Sequence, residues 1–320
     1  MSDQSLAIGG LKVSTTENNS IMKKNNRMID KAVYVLIYLS ASVSVLLLIG
    51  IIGYVLVKGI SAVTPEFVTT VTSAVKGTTG IAGNIVNTLY IIVITLVLAT
   101  PIGIGSAIYL NEYAKPGRFV RLIEMTTEIL AGIPSILYGL FGMVLFGITL
   151  GMGYSILTGS LTLTLMILPL ITRNTQEALK TVPLNYRSAA LGLGTTKWYM
   201  IRTVLLPSAM PGIITGVILA IGRIVGESAA LLFTAGSGYF LPKNGQWLSK
   251  VLESGGTLSV QLYLSMSKGQ YDTAFGIAVI LIAIVLIINL ITKLLTNRFN
   301  VARSANVARS ANVARSAKKK

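Results

Sequence analysis

The sequence predicts an all-α, polytopic membrane protein with six transmembrane helices. Apolar residues make up 52% of the 320 residues and charged residues only 12%, whereas a soluble domain carries about 25% charged residues. The mean hydropathy is +0.72. Crossing a bilayer as a helix takes about 20 apolar residues. Six apolar runs meet this requirement: residues 33–57, 85–110, 125–150, 154–172, 209–235 and 274–295.

The basic residues predict the orientation of these helices. If both termini lie in the cytoplasm, most lysines and arginines fall in cytoplasmic segments. Basic loops favour the cytoplasmic side of a membrane, so we predict an N-in, C-in arrangement. These loops account for the net charge of +16, and we expect no nucleic-acid partner. The basic residues left outside are Lys58, Lys76, Lys243, Lys250 and Lys268.

The two ends of the chain are polar. Residues 1–32 contain no apolar core of a signal peptide, so we expect a flexible cytoplasmic N-terminal segment followed by a retained first helix, 33–57. Residues 300–317 are three copies of Asn-Val-Ala-Arg-Ser-Ala, and three lysines follow them. Few large apolar residues occur there, which predicts a disordered basic tail over 300–320. Such a tail can contact anionic lipid headgroups.

The residue types present exclude several chemistries. Cysteine and histidine are absent from the sequence, so disulfides, thiol catalysis and histidine general bases are excluded. We expect no metal site and no catalytic residue. The phosphate-binding motif Gly-x-x-x-x-Gly-Lys-[Ser/Thr] is also missing from the sequence, so the chain cannot bind ATP through this motif. An ATP-driven function would therefore need another polypeptide.

A polar segment, residues 173–208, separates the fourth and fifth apolar runs. Pro183 suits the first position of a short helix, and Gly194 suits the left-handed position after its end. Pro207 is expected to terminate a second short helix. The segment therefore predicts two short helices with a sharp turn at Gly194.

The first of these helices has features of a docking surface. Ala189 and Ala190 keep it slim, so a partner could approach its backbone closely. Tyr186, Arg187 and Trp198 supply contact groups of the kind that dominate protein interfaces.

The fifth apolar run contains two charged residues, Arg223 and Glu227. Each charge inside an apolar span costs roughly 2.5–3.5 kcal/mol on insertion scales, which marks a functional site. Four residues apart, the two side chains would share one face of a helix, and Arg223 would lie near the bilayer midplane. A self-contained structural ion pair is the alternative. Glycines on this run allow close helix contact, which favours simple helix packing, with a subunit interface as the alternative: Gly212, Gly216, Gly222 and Gly226.

The spacing of the polar segment resembles the cytoplasmic signature of ABC-importer permeases. That signature is Glu-Ala-Ala, three residues, Gly, nine residues, Ile, one residue and Leu-Pro. Ser188 stands in place of the glutamate and Val204 in place of the isoleucine. The resemblance implies a type I importer permease core over 84–295 and a coupling loop, 173–208, that docks on a separate ATPase. The coupling residues would be Pro183, Tyr186, Arg187, Ser188, Ala189, Ala190, Gly194, Leu206 and Pro207.

Three further segments look like phosphate-importer permeases of the PstA type: Leu130–Ser135, Ile171–Ala178 and Gly222–Glu227. This resemblance implies a bacterial cytoplasmic-membrane subunit without enzymatic activity of its own. Its substrate pathway would include Arg173, Arg223 and Glu227. The implied partners are a homologous second permease, two copies of an ATP-binding subunit that holds ATP and magnesium, and an extracellular phosphate-binding protein.

Three alternatives remain open from the sequence. The chain could be a permease for sulfate, molybdate or phosphonate. It could be a secondary transporter or channel that acts alone, in which case uptake would survive deletion of every cognate ATPase. It could also be a membrane scaffold in which Arg223 and Glu227 form a purely structural pair.

Overall fold

The computed structural model describes residues 28–73, 78–242 and 246–317. The flexible N-terminal segment predicted over 1–32 therefore lies outside the described residues as far as position 27. The contacts divide the chain into two units, residues 1–53 and 54–320.

The first unit contributes a single long helix. Helix α1 (Met28–Gly59) begins five residues before the first apolar run, and its last residues belong to the second unit. Asp30 lies in its first turn and Lys58 in its last, where each charge complements the helix dipole. The prediction of a helix over 33–57 is confirmed.

The second unit continues with small elements that lead into the second crossing. Thr64 caps the short helix Pro65–Thr69 by accepting a hydrogen bond from the Phe67 amide. The two strands that follow pair in an antiparallel hairpin. The elements are α2 (Pro65–Thr69), β1 (Val71–Ser73), β2 (Thr78–Ile81) and α3 (Ala82–Ile108), which ends in a π-helical turn, Tyr109–Tyr113.

The third crossing is a bent pair of helices rather than one helix. Helix α4 (Arg118–Gly132) and helix α5 (Ser135–Gly142), with its π-helical continuation (Met143–Thr149), meet at an angle of 100°. The break falls at Ile133 because a residue before proline avoids the helical region. Five continuous helices of the described chain are long and apolar enough to span a membrane, and the bent pair supplies a sixth if counted as one span.

Helix α6 (Ile156–Lys180) is the central helix of this unit and packs against α3. The two helices approach closely at Gly103, where an added Cβ would lie 2.7 Å from the Cγ2 atom of Ile171. Small residues allow such close contacts between transmembrane helices.

The segment after α6 forms two short helices, as predicted: α7 (Leu184–Gly192) and α8 (Lys197–Met200). Two details of the prediction were wrong. Pro183 is the N-cap of α7 rather than its first residue. Pro207 does not terminate the second helix, because a π-helical turn (Ile201–Leu205) carries the chain into α9 (Leu206–Gly226). Proline is tolerated there since it lies in the first turn of α9.

The fifth apolar run, predicted as one helix over 209–235, is interrupted at Glu227 and Ser228. Glu227 is extended, and the shorter helix α10 (Ala229–Thr234) follows. The remaining helices are α11 (Leu258–Ser267) and α12 (Tyr271–Ala317).

Helix α12 continues through the repeats to Ala317, where the sequence suggested a disordered tail from residue 300. The difference has a local cause. Each repeat contains two alanines and an arginine, which are among the residues with the highest helix propensity, and no glycine or proline interrupts them.

Candidate functional site

The coupling loop presents an apolar outer surface. Leu193 is 84% exposed, Leu184 75% and Trp198 58%. Tyr186 is half exposed, and Ser188 and Ala189 are exposed as well. Large exposed apolar side chains in one small region mark an interaction site.

The turn between α7 and α8 depends on Gly194. Its φ angle is +77°, a conformation that only glycine adopts without strain. Thr195 donates its hydroxyl to the Ala190 carbonyl at 2.8 Å, and Thr196 caps α8 by accepting from the Tyr199 amide at 3.3 Å. Ala190 itself is buried beneath the turn, so it does not belong to the outer surface that the sequence suggested.

Arg187 also points inward, although the sequence suggested a contact group for a partner. Its Nη2 and Nε atoms donate to Oε1 of Glu112 at 3.0 and 3.3 Å. Its guanidinium further donates to the carbonyls of Leu179, at 3.0 Å, and Val182, at 3.1 Å. Arg187 thus holds α7 against the rest of the molecule.

Arg223 lies on α9. Its position along the length of α6 follows from the contacts that α9 and α10 make with α6. An added Cβ on Gly216 would lie 2.7 Å from Cβ of Asn174, and one on Gly159 would lie 3.0 Å from Cδ2 of Leu231. Arg223 follows Gly216 by seven residues, about 10 Å along α9, and lies within the candidate membrane span Lys197–Gly226.

Arg223 is exposed at the surface of α9. Gly212 and Gly216 pack against α6 of the same chain, whereas no described atom lies within 4 Å of a Cβ added at Gly222 or Gly226. The small face formed by these four glycines is therefore split between an internal contact and open space. The exposed stripe consists of Pro211, Thr215, Leu219, Gly222, Arg223 and Gly226.

Arg223 and Glu227 do not form the structural ion pair that the sequence left open as the alternative. The helix ends at Gly226, so Glu227 leaves the face that carries Arg223. Its Oε1 atom instead accepts a hydrogen bond from the Ala230 amide at 3.1 Å, at the start of α10. Among the described residues, Arg223 has no salt-bridge partner.

Arg173 lies at the predicted cytoplasmic end of α6 and has two acidic partners. Its guanidinium is 3.3 Å from the carboxylate of Glu128 on α4 and 3.6 Å from that of Glu177. Two carboxylates leave little of its charge for an anion. A pathway role for Arg173 stays a prediction, and Arg223 is the stronger candidate.

Sequence reasoning missed the pairing of Glu112 with Arg187 and of Glu128 with Arg173. Both partners lie far away in the sequence, and neither pair follows a helical spacing that a single sequence displays. The one available signal was the position of Glu112, directly before the basic loop that starts at Lys115.

Comparisons with known proteins agree with this architecture. The model of the family described as binding-protein-dependent transport system inner membrane component matches residues 99–302. A probable ABC transporter permease of Bacillus subtilis, YqgI, is 40% identical over 212 residues, which cover 66% of this chain and 72% of YqgI. The phosphate transport system permease protein PstA of Haemophilus influenzae is 32% identical over 257 residues, or 80% of this chain and 90% of PstA.

Solved structures show the same fold. A chain of a bacterial alginate ABC transporter superposes with a TM-score of 0.62 at 15% identity, covering 84% of this chain and 95% of that chain. A chain of the MetNI methionine ABC transporter gives 0.53 at 19% identity, covering 69% and 94%. The chain therefore belongs to the binding-protein-dependent transport system inner membrane components, as a multi-pass ABC-importer permease with the type I fold in the bacterial cytoplasmic membrane.

Proposed function

We propose that this permease forms half of the translocation pathway of an ATP-driven importer for inorganic phosphate. The similarity to PstA of Haemophilus influenzae over 80% of the chain supports phosphate as the substrate. The similarity to the Bacillus subtilis permease YqgI is higher, but its description names no substrate.

The observation that carries the proposal is the position of Arg223. An arginine without a salt-bridge partner within a membrane span is costly, and such residues mark ion pathways. A guanidinium offers a fork of donors that matches a phosphate oxyanion. The open glycines Gly222 and Gly226 beside it leave space for an ion to approach.

Hydrolysis of ATP would occur on a separate subunit docked at the coupling loop. The exposed apolar side chains of α7 and α8 form the docking surface, and Gly194 fixes the angle between the two helices. A homologous second permease would face the exposed stripe of α9 and close the pathway. An extracellular phosphate-binding protein would deliver the ion.

Substituting Arg223 tests the proposal. We expect Arg223→Gln to reduce uptake of radiolabelled phosphate by about 10- to 100-fold, because a hydrogen bond to a charged group contributes about 1.5–3 kcal/mol. Arg223→Lys keeps the charge but loses the forked donors, so we expect partial uptake. The yield of assembled complex is measured in parallel.

Arg121→Gln is the matched control, since Arg121 is an exposed arginine of α4 remote from the stripe on α9. We expect it to leave uptake unchanged. Normal uptake by Arg223→Gln would remove Arg223 from the pathway. Loss of the assembled complex in Arg223→Gln would instead indicate a structural role for Arg223.

A further inference from the structure

The π-helical turn at the end of α3, Tyr109–Tyr113, is the attachment point of the coupling loop; we call it the anchor turn. The Glu112 side chain is 7% exposed and that of Arg187 16% exposed, so this ion pair is largely shielded from solvent. Asn111 also donates its Nδ2 to the same Oε1 atom of Glu112, at 2.7 Å. One carboxylate oxygen thus accepts from both Asn111 and Arg187.

Arg187 joins three elements at one guanidinium. It belongs to α7, its Nε and Nη2 atoms bind Glu112 at the end of α3, and the carbonyl of Leu179 that it contacts belongs to α6. A planar guanidinium with several simultaneous partners resists rotation. Helix α7 therefore cannot shift without moving the end of α3 or breaking these bonds.

A second attachment comes from α8. Lys197 donates its Nζ to the backbone carbonyl of Glu112. The same ammonium group lies 4.9 Å from the ring centroid of Tyr113, in cation–π contact. Both short helices of the coupling loop are therefore fastened to the anchor turn.

The opposite side of α7, which carries Asn185, Ser188 and Ala189, is exposed. Leu184, Tyr186 and Leu191 beside it are 75%, 50% and 49% exposed. One side of the helix thus faces outward and the other binds the anchor turn. Above that turn, α3 continues into the membrane against α6, where Gly103 meets Ile171.

From this arrangement we infer that Glu112 and Arg187 are positioning residues that make α3 move together with α7. The inference rests on the proposed function in one respect, namely that an ATPase moves α7. A push on the outer side of α7 reaches α3 through the shielded ion pair, and α3 then moves along α6. A loop held only for its own folding would not need a link to a second membrane helix.

The first test measures coupling in the assembled, purified complex. Glu112→Gln removes the ion pair with no change in size, and Arg187→Gln removes it with a shorter, polar side chain. We expect each to raise the ATP hydrolysed per phosphate transported by about tenfold, with the yield of complex unchanged. Because Arg187→Gln already breaks the link to Glu112, the double variant should be no worse than Arg187→Gln alone, and Glu112→Asp should retain part of the coupling.

The control for this measurement is Glu124→Gln, a change at an exposed carboxylate on α4, which should leave the ratio unchanged. The inference is overturned if the ratio stays at the wild-type value in Glu112→Gln. It is equally overturned if activity falls only in proportion to the yield of complex, since that is the result of a purely structural role.

The second test does not depend on the transported substrate. The chain has no cysteine, so spin labels can be attached at Gly105→Cys on α3 and Gly192→Cys on α7, where an added Cβ meets nothing within 4 Å. We expect one narrow distance between the labels, the same with and without ATP. Adding Glu112→Gln should broaden that distance or make it depend on ATP.

An identical distance distribution with and without Glu112→Gln would overturn the inference. If the labels respond as expected while the wild-type complex transports no phosphate, the link between α3 and α7 holds and the substrate assignment fails. The link between α3 and α7 and the assignment of phosphate as the substrate can therefore be contradicted independently.

Discussion

At the scale of single residues, the candidate arginines differ in whether they have an acidic partner. Arg187 and Arg173 each have acidic partners within 3.6 Å. Arg223 has none among the described residues, although it lies within a candidate membrane span. The four charged residues that the sequence suggested as functional thus have different environments: Arg173, Arg187, Arg223 and Glu227.

Glu227 provides a residue-scale prediction. Its carboxylate accepts from the Ala230 amide, so Glu227→Gln, which keeps an accepting oxygen, should leave the thermal unfolding midpoint of the complex nearly unchanged. Glu227→Ala removes the acceptor and should lower stability by about 0.5–2 kcal/mol, as loss of a helix cap does. Thermal unfolding followed by circular dichroism measures both.

Ser228→Ala serves as the control, because the Ser228 side chain makes no capping hydrogen bond to α10. If Glu227→Ala unfolds at the same temperature as Ser228→Ala, then Glu227 has no capping role. Glu227 would then remain a candidate residue of the substrate pathway.

At the scale of elements, the coupling loop was predicted well because its signals are local. Pro183, Gly194 and Thr196 each affect the backbone within a few residues, and the two short helices form where these residues indicate. The break after Gly226 was missed because a glutamate followed by a serine does not exclude a helix. The path of α9 through Pro207 was missed because the π-helical turn before it depends on tertiary packing, in which Met200, Ile201 and Leu205 are buried.

The outer surface of α7 provides an element-scale prediction. Ala189 is exposed on the proposed docking face, so Ala189→Glu places a bulky charge where a partner should approach closely. We expect the protein to insert normally while phosphate uptake is lost and ATP hydrolysis no longer depends on substrate. Uptake and hydrolysis assays on the assembled complex measure this.

Ser188→Glu is a stringent control for that variant. It adds the same charge one residue earlier, at the position where the family signature carries glutamate, so we expect coupling to be retained. Normal uptake by Ala189→Glu would show that α7 is not the docking helix.

At the scale of the whole molecule, composition and periodicity were sufficient to predict the class of fold. The apolar runs correspond to helices α1, α3, α6, α9 and α12 and to the bent pair of α4 and α5. What the sequence could not predict are contacts between distant segments. Buried side chains of α3 hold the segment before α11, and their partners lie more than 150 residues away: Asn84 with Gly256, Asn87 with Gly238 and Thr88 with Leu258.

We expect an ATPase to act on the coupling loop and phosphate to pass Arg223. Transport of radiolabelled phosphate by the complete complex in proteoliposomes, with excess sulfate or molybdate as competitor, tests it most directly. We predict transport that requires ATP and the phosphate-binding protein and that neither competitor reduces. Phosphate movement without ATP, or transport of sulfate or molybdate in preference to phosphate, would contradict the account.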